Sequence, residues 1–168
     1  MKRNKDCTVC HYSNDQKTPD GKAKLKYGPS CESCHGASSV WEPIHFEYGG
    51  KNVKQEDETP EHKTKRIADS IAAGLIWSSM NYDIAVNCMK CHGLARTDVS
   101  GEAFGKMLEA GHPINPSFEV VMFSQGLMSH WRDKRSLAKL AQLYIAGQAA
   151  KLVSATEAAA NSADAQYK

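Results

Sequence analysis

All six cysteines of this chain stand in three copies of one pattern, Cys-x-x-Cys-His: "CTVCH" at Cys7–His11, "CESCH" at Cys31–His35 and "CMKCH" at Cys88–His92. The dithiol alone leaves a zinc clasp, a redox pair or a disulfide framework open. The residue after it narrows the choice. Zinc takes four protein ligands, three dithiols do not divide into such sites, and a His directly after the second Cys is not a zinc-finger spacing. A thioredoxin-type motif occurs once, beside a βαβ pattern that is not legible here. A disulfide framework gives no reason for His to fill the same slot three times; with 7 His in 168 residues, chance would do so at roughly one in ten thousand. Attachment of c-type haem requires that slot: the two thiols add to the haem vinyl groups and the adjacent imidazole reaches the iron. The sequence therefore predicts three covalent haem c groups on Cys7, Cys10, Cys31, Cys34, Cys88 and Cys91, with His11, His35 and His92 as proximal iron ligands.

Covalent haem changes how the composition reads. Hydrophobic residues make up 41% of the chain and aromatics only 8%, thin for an ordinary core of this length, a deficit that porphyrin surface would fill. The expected fold is mainly α with much irregular loop and essentially no sheet. It is a compact unit wrapped around three covalent haems, with residues 1–131 as the trihaem domain and 132–168 as a long C-terminal helix and tail. The formal charge of +2 falls to roughly −1 with three ferric haems and roughly −4 with three ferrous ones, once the propionates are included. With neither a basic excess nor a recognition motif, a nucleic-acid role has no support. No apolar run approaches the roughly 18 residues of a membrane span. The opening "MKRNKD" is charged and leads straight to Cys7, so the chain is expected to be a mature or trimmed form of a protein exported to the periplasm or beyond, where haem is attached.

Along the chain, residues 1–30 read as loop, with "KTPDGKAK" as turn chemistry, and residues 36–58 stay irregular through Pro43 and Gly49–Gly50. Thr59 is an expected N-cap, Pro60 fits the first helical position and Glu61 suits the positive helix end. Ile67, Ile71 and Leu75 then form an apolar stripe. Further helices are expected over Ile84–His92, Glu102–Ala110, Phe118–Trp131 and Asp133–Ala160. In the last, Leu137, Leu140, Ala141, Tyr144, Gln148 and Leu152 form a modest stripe. Its first half, to about Ile145, is expected to brace the haem domain, leaving the second half free for a partner and the end after Thr156 frayed.

Four His remain for the far side of the irons. His45 lies in a loop among Trp41, Ile44 and Phe46; His112 precedes Pro113 and is therefore extended just past a helix end; His130 shares a helix face with Leu127 and Phe123. These three are the favoured distal ligands. His62, flanked by Glu61, Lys63, Lys65 and Arg66, is the weaker candidate. Met80, Met107, Met122 and Met128 could serve in place of His, although Met is more often core filler.

The segment "GPSCESCHG", with His45 ten residues after His35, resembles cytochrome c five-five-four, the tetrahaem carrier that serves hydroxylamine oxidoreductase, and its multihaem relatives. A wider set of periplasmic multihaem cytochromes is similar over residues 28–131, through "WEPIH", "ETPEHKTKRIADSIAAGL", "NCMKCHG", "AGHP" and "FEVVMFSQGLMSHW". The resemblance implies an electron carrier in which His45 reaches the iron of the first haem. This chain departs from the carrier in having three motifs rather than four. After His11 no further His precedes Cys31, so the haem at His35 is expected to find its partner among His62, His112 and His130.

The function expected is single-electron transfer between redox protein donors and acceptors, by mostly bis-His, low-spin haems. Two rivals stay open: a haem enzyme with one five-coordinate iron acting on a small nitrogen or sulfur compound, and a protomer of a haem-stacked filament or larger electron-transfer complex. The C-terminal helix is the expected route to a homo-oligomer. The charged run "KQEDETPEHKTKR" reads as solvated surface.

Overall fold

The computed structural model describes residues 2–16, 20–93, 96, 98–113, 115, 117–124 and 135–163. The first motif forms a helix of its own, α1 (Lys5–His11), opened by Asn4, whose side chain accepts from Asp6 N at 2.9 Å. After it, β1 (Ser13–Asp15) pairs antiparallel with β2 (Lys24–Tyr27). The expectations of plain loop over residues 1–30 and of essentially no sheet are thus corrected. These strands bury no residue fully and are tied by a Lys26–Asp15 ion pair at 3.1 Å, so no apolar alternation announced them. The second motif forms the short helix α2 (Cys31–His35), and α3 (Glu42–His45) and a 3-10 turn at Gln55–Asp57 punctuate residues 36–58, also expected to be irregular.

α4 (Pro60–Ala72) starts as expected, Thr59 Oγ1 accepting from His62 N at 3.2 Å. Its inner face differs from the expected stripe: Arg66 and Ser70 are buried while Ile71 is exposed. α5 (Asn81–His92) carries the third motif in its last turns and begins a few residues before Ile84. α6 (Gly101–Glu109) is capped by Ser100, and α7 (Val120–Ser124) is the described part of the helix expected over Phe118–Trp131. α8 (Leu137–Asn161), capped by Ser136, closes the chain.

The core lies where α5, α7 and α8 meet: Ala85, Met89, Phe118, Val120, Leu143 and Ala150, with Val86, Cys88 and Val121 against it. α8 runs along α5 on a face made of Leu143 and three small residues, Gly147, Ala150 and Ser154. This overturns the expected division of labour. Leu137, Tyr144, Ile145 and Leu152 point outward; Leu143 seats the first half in the core, but the second half, expected to be free, is packed as well through Gly147, Ala150 and Ser154, and it remains helical to Asn161. The reason is close approach. A Cβ on Gly147 would meet Val120 at 3.2 Å, and Cβ atoms on Gly93 and Gly101 would run into Ser154 and the Asn161 carbonyl. Gly93 follows the third motif directly, so the second half of the helix is seated on the turn that ends that motif.

Candidate functional site

Helical geometry explains each motif. Residues three and four apart share a helix face, so both thiols and the imidazole of a Cys-x-x-Cys-His helix emerge together. All three motifs sit this way, on α1, on α2 and at the end of α5, and all six thiols are free. They also meet across motifs. The Cys10 thiol hydrogen-bonds with Cys91, and the Cys34 thiol with Cys88. These bonds are the largest influence on ionisation, easing it at Cys91 and Cys34 and hindering it at Cys10 and Cys88. Asn87 Nδ2 adds a bond to the Cys34 carbonyl at 3.2 Å, and the Arg96 guanidinium lies 3.9 Å from Cys91 Sγ. In space the order is first, third, second: the α5 motif stands between the other two. Among the described residues no three of His, Cys, Asp or Glu gather as a set for a bare metal ion.

Two of the motif histidines are positioned by specific contacts. His35 is fastened twice to Ile76, whose N donates to the His35 carbonyl at 2.9 Å and whose carbonyl lies 2.8 Å from His35 Nδ1. A carbonyl can only accept, so that contact sets Nδ1 as the protonated nitrogen and puts the lone pair on Nε2, the tautomer a metal ligand needs. Gly36 follows at φ +85°, and a Cβ there would stand 2.8 Å from the Gly74 carbonyl. His92 stacks on Phe118 at 3.9 Å and 10°, with Phe123 at 6.1 Å; burial makes its protonation harder.

The candidate distal residues separate clearly. His112, extended before Pro113 and held by its N donating to Met107 O at 2.9 Å, places its ring 6.1 Å from that of His11. Two imidazoles trans on one ion, each about 2 Å from it, have ring centroids about 6 Å apart. His45 lies instead near His35, boxed by Trp41 at 5.9 Å, Phe46 at 4.9 Å and Trp77 at 5.6 Å. Burial, with Arg66 and His35 adding to it, makes its protonation harder than that of an ordinary imidazole. The resemblance pointed His45 at the haem of His11; the ring found beside His11 is that of His112. His130 lies outside the described residues. Of the alternative ligands, Met80 Sδ accepts from Trp77 N at 3.3 Å and Met122 is exposed.

The donor set fits haem. Among the described residues, the buried Nδ1 atoms of His45 and His112 and the Nε1 of Trp41 have no hydrogen-bond partner. An orphaned buried polar atom costs about 1–3 kcal/mol, so each marks a place where another group belongs. Imidazoles suit iron, and the indole N–H, donor only, suits an acceptor such as a propionate oxygen.

His62 is used differently. Its Nδ1 lies 2.8 Å from Glu58 Oε1 and its Nε2 2.8 Å from Glu47 Oε2, so both ring nitrogens face carboxylates. The sequence missed this network by reading the charged run as solvated, whereas the side chains of Glu58 and Arg66 are only 1% and 3% exposed. The available signal was the spacing of His62, Arg66 and Ser70, four apart on one helix face. Arg66 first, then His62, holds the Glu58 carboxyl down at about 2, and Glu58 first, then Glu47, raises His62 above the ordinary 6.5. A raised His contributes stability that is fully present below pH 6.5 and lost as pH rises through its folded value. The depressed Glu58 contributes above the ordinary 4.5 and loses its contribution only as pH falls towards about 2. His62→Gln should therefore lower the thermal midpoint below pH 6.5, and that deficit should shrink as pH rises; melting curves across pH check the sign.

No helix among the described residues is long and apolar enough to cross a membrane. No curated protein and no solved structure matches the chain. Residues 1–36, which carry the first two Cys-x-x-Cys-His motifs, match the family model described as cytochrome c554 and c-prime, and over that segment the chain is similar to that family.

Proposed function

We propose that this chain is a trihaem c-type cytochrome that passes single electrons between redox protein partners in the periplasm or outside the cell. The observation that carries the reading is the pairing of His11 with His112 at 6.1 Å, the spacing of two axial ligands on one iron, at a motif whose thiols sit on the same helix face. Bound at the three motifs, haem supplies reversible one-electron exchange between ferric and ferrous iron. The side chains do the rest. Cys7 and Cys10, Cys31 and Cys34, and Cys88 and Cys91 hold the groups covalently; His11, His35 and His92 are the proximal ligands. His112 completes the first site and His45 the second. For the third site the proposed ligand is His130, which lies outside the described residues and rests on the sequence alone.

With a pair of imidazoles offered to each haem, His/His ligation would leave potentials lower than His/Met would. The buried Phe118 and Trp41 shield the rings of His92 and His45 from water. The outward Leu137, Tyr144, Ile145 and Leu152 of α8 support a partner or a second protomer on that helix.

Mass spectrometry of the denatured protein tests the reading. The mass should exceed the 18.4 kDa polypeptide by three haems, and the absorbance of the native protein should be that of low-spin iron. A mass showing free thiols or zinc would end it. A high-spin band, or rapid carbon monoxide binding by the reduced native protein, would instead indicate an open iron and an enzymatic role.

A further inference from the structure

We propose that Arg66 is the positioning residue for His45, fixing the backbone from which that imidazole reaches iron. The inference rests on the reading of His45 as a distal ligand. α3 is only four residues long, and a helix so short has too few internal bonds to hold itself. Its anchor comes from α4. Arg66, 4% exposed, donates through Nε to Glu58 Oε1 at 2.7 Å, through Nη2 to Glu58 Oε2 at 2.6 Å, and through Nη1 to the His45 carbonyl at 2.9 Å. The planar guanidinium makes this possible: one edge takes the carboxylate bidentately while the remaining nitrogen points elsewhere.

Burying a charge costs free energy, and a buried ion pair adds little net stability over an apolar replacement. Its use here is to specify geometry. The guanidinium also lies over the Tyr48 ring at 4.9 Å, three residues beyond His45. Glu47, two residues beyond His45, is tied back to α4 by His62. The backbone of the His45 turn is thus fixed from α4, while Trp41, Phe46 and Trp77 fix the ring. An imidazole held at both ends keeps its place when iron changes charge.

The test uses the holoprotein and three variants. His45→Ala should leave three covalent haems and make one high-spin. Arg66→Lys keeps a cation beside Glu58 but cannot bind Glu58 in a fork and the His45 carbonyl together. It should stay low-spin at rest, yet one reduced haem should bind carbon monoxide roughly tenfold to a hundredfold faster than in the parent, as expected for a lost hydrogen bond from a charged group. Glu58→Gln, which loosens the guanidinium without removing it, should give a smaller acceleration at the same haem. Parent-like carbon monoxide rates in both Arg66→Lys and Glu58→Gln, with His45→Ala high-spin, would overturn the role of Arg66 and leave the ligand reading standing. A fully low-spin His45→Ala would remove the ligand reading, and this proposal with it. Equal acceleration at all three haems, or loss of helical circular dichroism in both variants, would mark a general structural role and likewise overturn it.

Discussion

Alanine in place of His112 should turn the haem at His11, one of the three expected, from low-spin to high-spin while all three stay covalently attached. Attachment depends on Cys7 and Cys10, which the substitution does not touch. The sixth position depends on a ring 6.1 Å from His11, and the structure places no other His ring there among the described residues. His45 is occupied near His35, and His62 has both nitrogens on carboxylates. The arrangement is rigid enough for the loss to be complete. His112 follows Gly111 at φ +79°, is tied to Met107 O through its own N, and precedes Pro113, which bars the helical region. No neighbouring side chain can slide into its place without moving that corner. The midpoint potential of this haem should rise, because the ferric state loses a donor it prefers, and carbon monoxide should bind the reduced form rapidly at this one site. Assigned paramagnetic shifts of the haem methyls decide the matter: a high-spin haem at His35, or a spectrum that stays fully low-spin, would sink the pairing. His45→Ala is the counterpart, affecting the haem of His35 and leaving that of His11 alone.

What the sequence disclosed depended on how local each feature is. Five consecutive residues contain a whole Cys-x-x-Cys-His pattern, so all three patterns could be read without the fold, as could the Thr59–Pro60 helix start and the helix end before His112–Pro113. The pairing of rings was not, because it joins α1 to the end of α6, about a hundred residues away. The inner face of α8 was misread for a different reason. A stripe was sought among Leu and Tyr, but a helix laid closely on α5 and α7 needs small residues at the contact, and Gly147, Ala150 and Ser154 are silent in a hydrophobicity pattern. Arg66 and Glu58 were hidden because two opposite charges eight residues apart read as surface until the fold pairs them in a dry site. The hairpin of β1 and β2 was hidden because its strands are short and polar.

The largest functional effect should follow from removing the third motif. In Cys88→Ser/Cys91→Ser the first and second haems should remain but lose electronic contact with each other. The argument is the spatial order. Cys10 meets Cys91 and Cys34 meets Cys88, so the groups bonded to α1 and α2 each border the group on α5. Electron tunnelling falls steeply with the gap, and without the central group any exchange between the outer two must cross the whole of it. α5 itself should survive the change, because its other side is fastened to α8 through Ala85, Met89 and Ala150, and Ser154 is seated on Gly93. Two serines remove thiols without adding bulk. Electron paramagnetic resonance of the oxidised protein gives the readout. In the parent, spins on neighbouring ferric irons couple and broaden the low-spin signals; in the variant, two sharp, independent low-spin signals should integrate to two haems per chain. Reduction of one outer haem by a rapid pulse should reach the other orders of magnitude more slowly than in the parent. If the two outer haems still exchange electrons at the parental rate, they touch directly, and the order first, third, second is wrong.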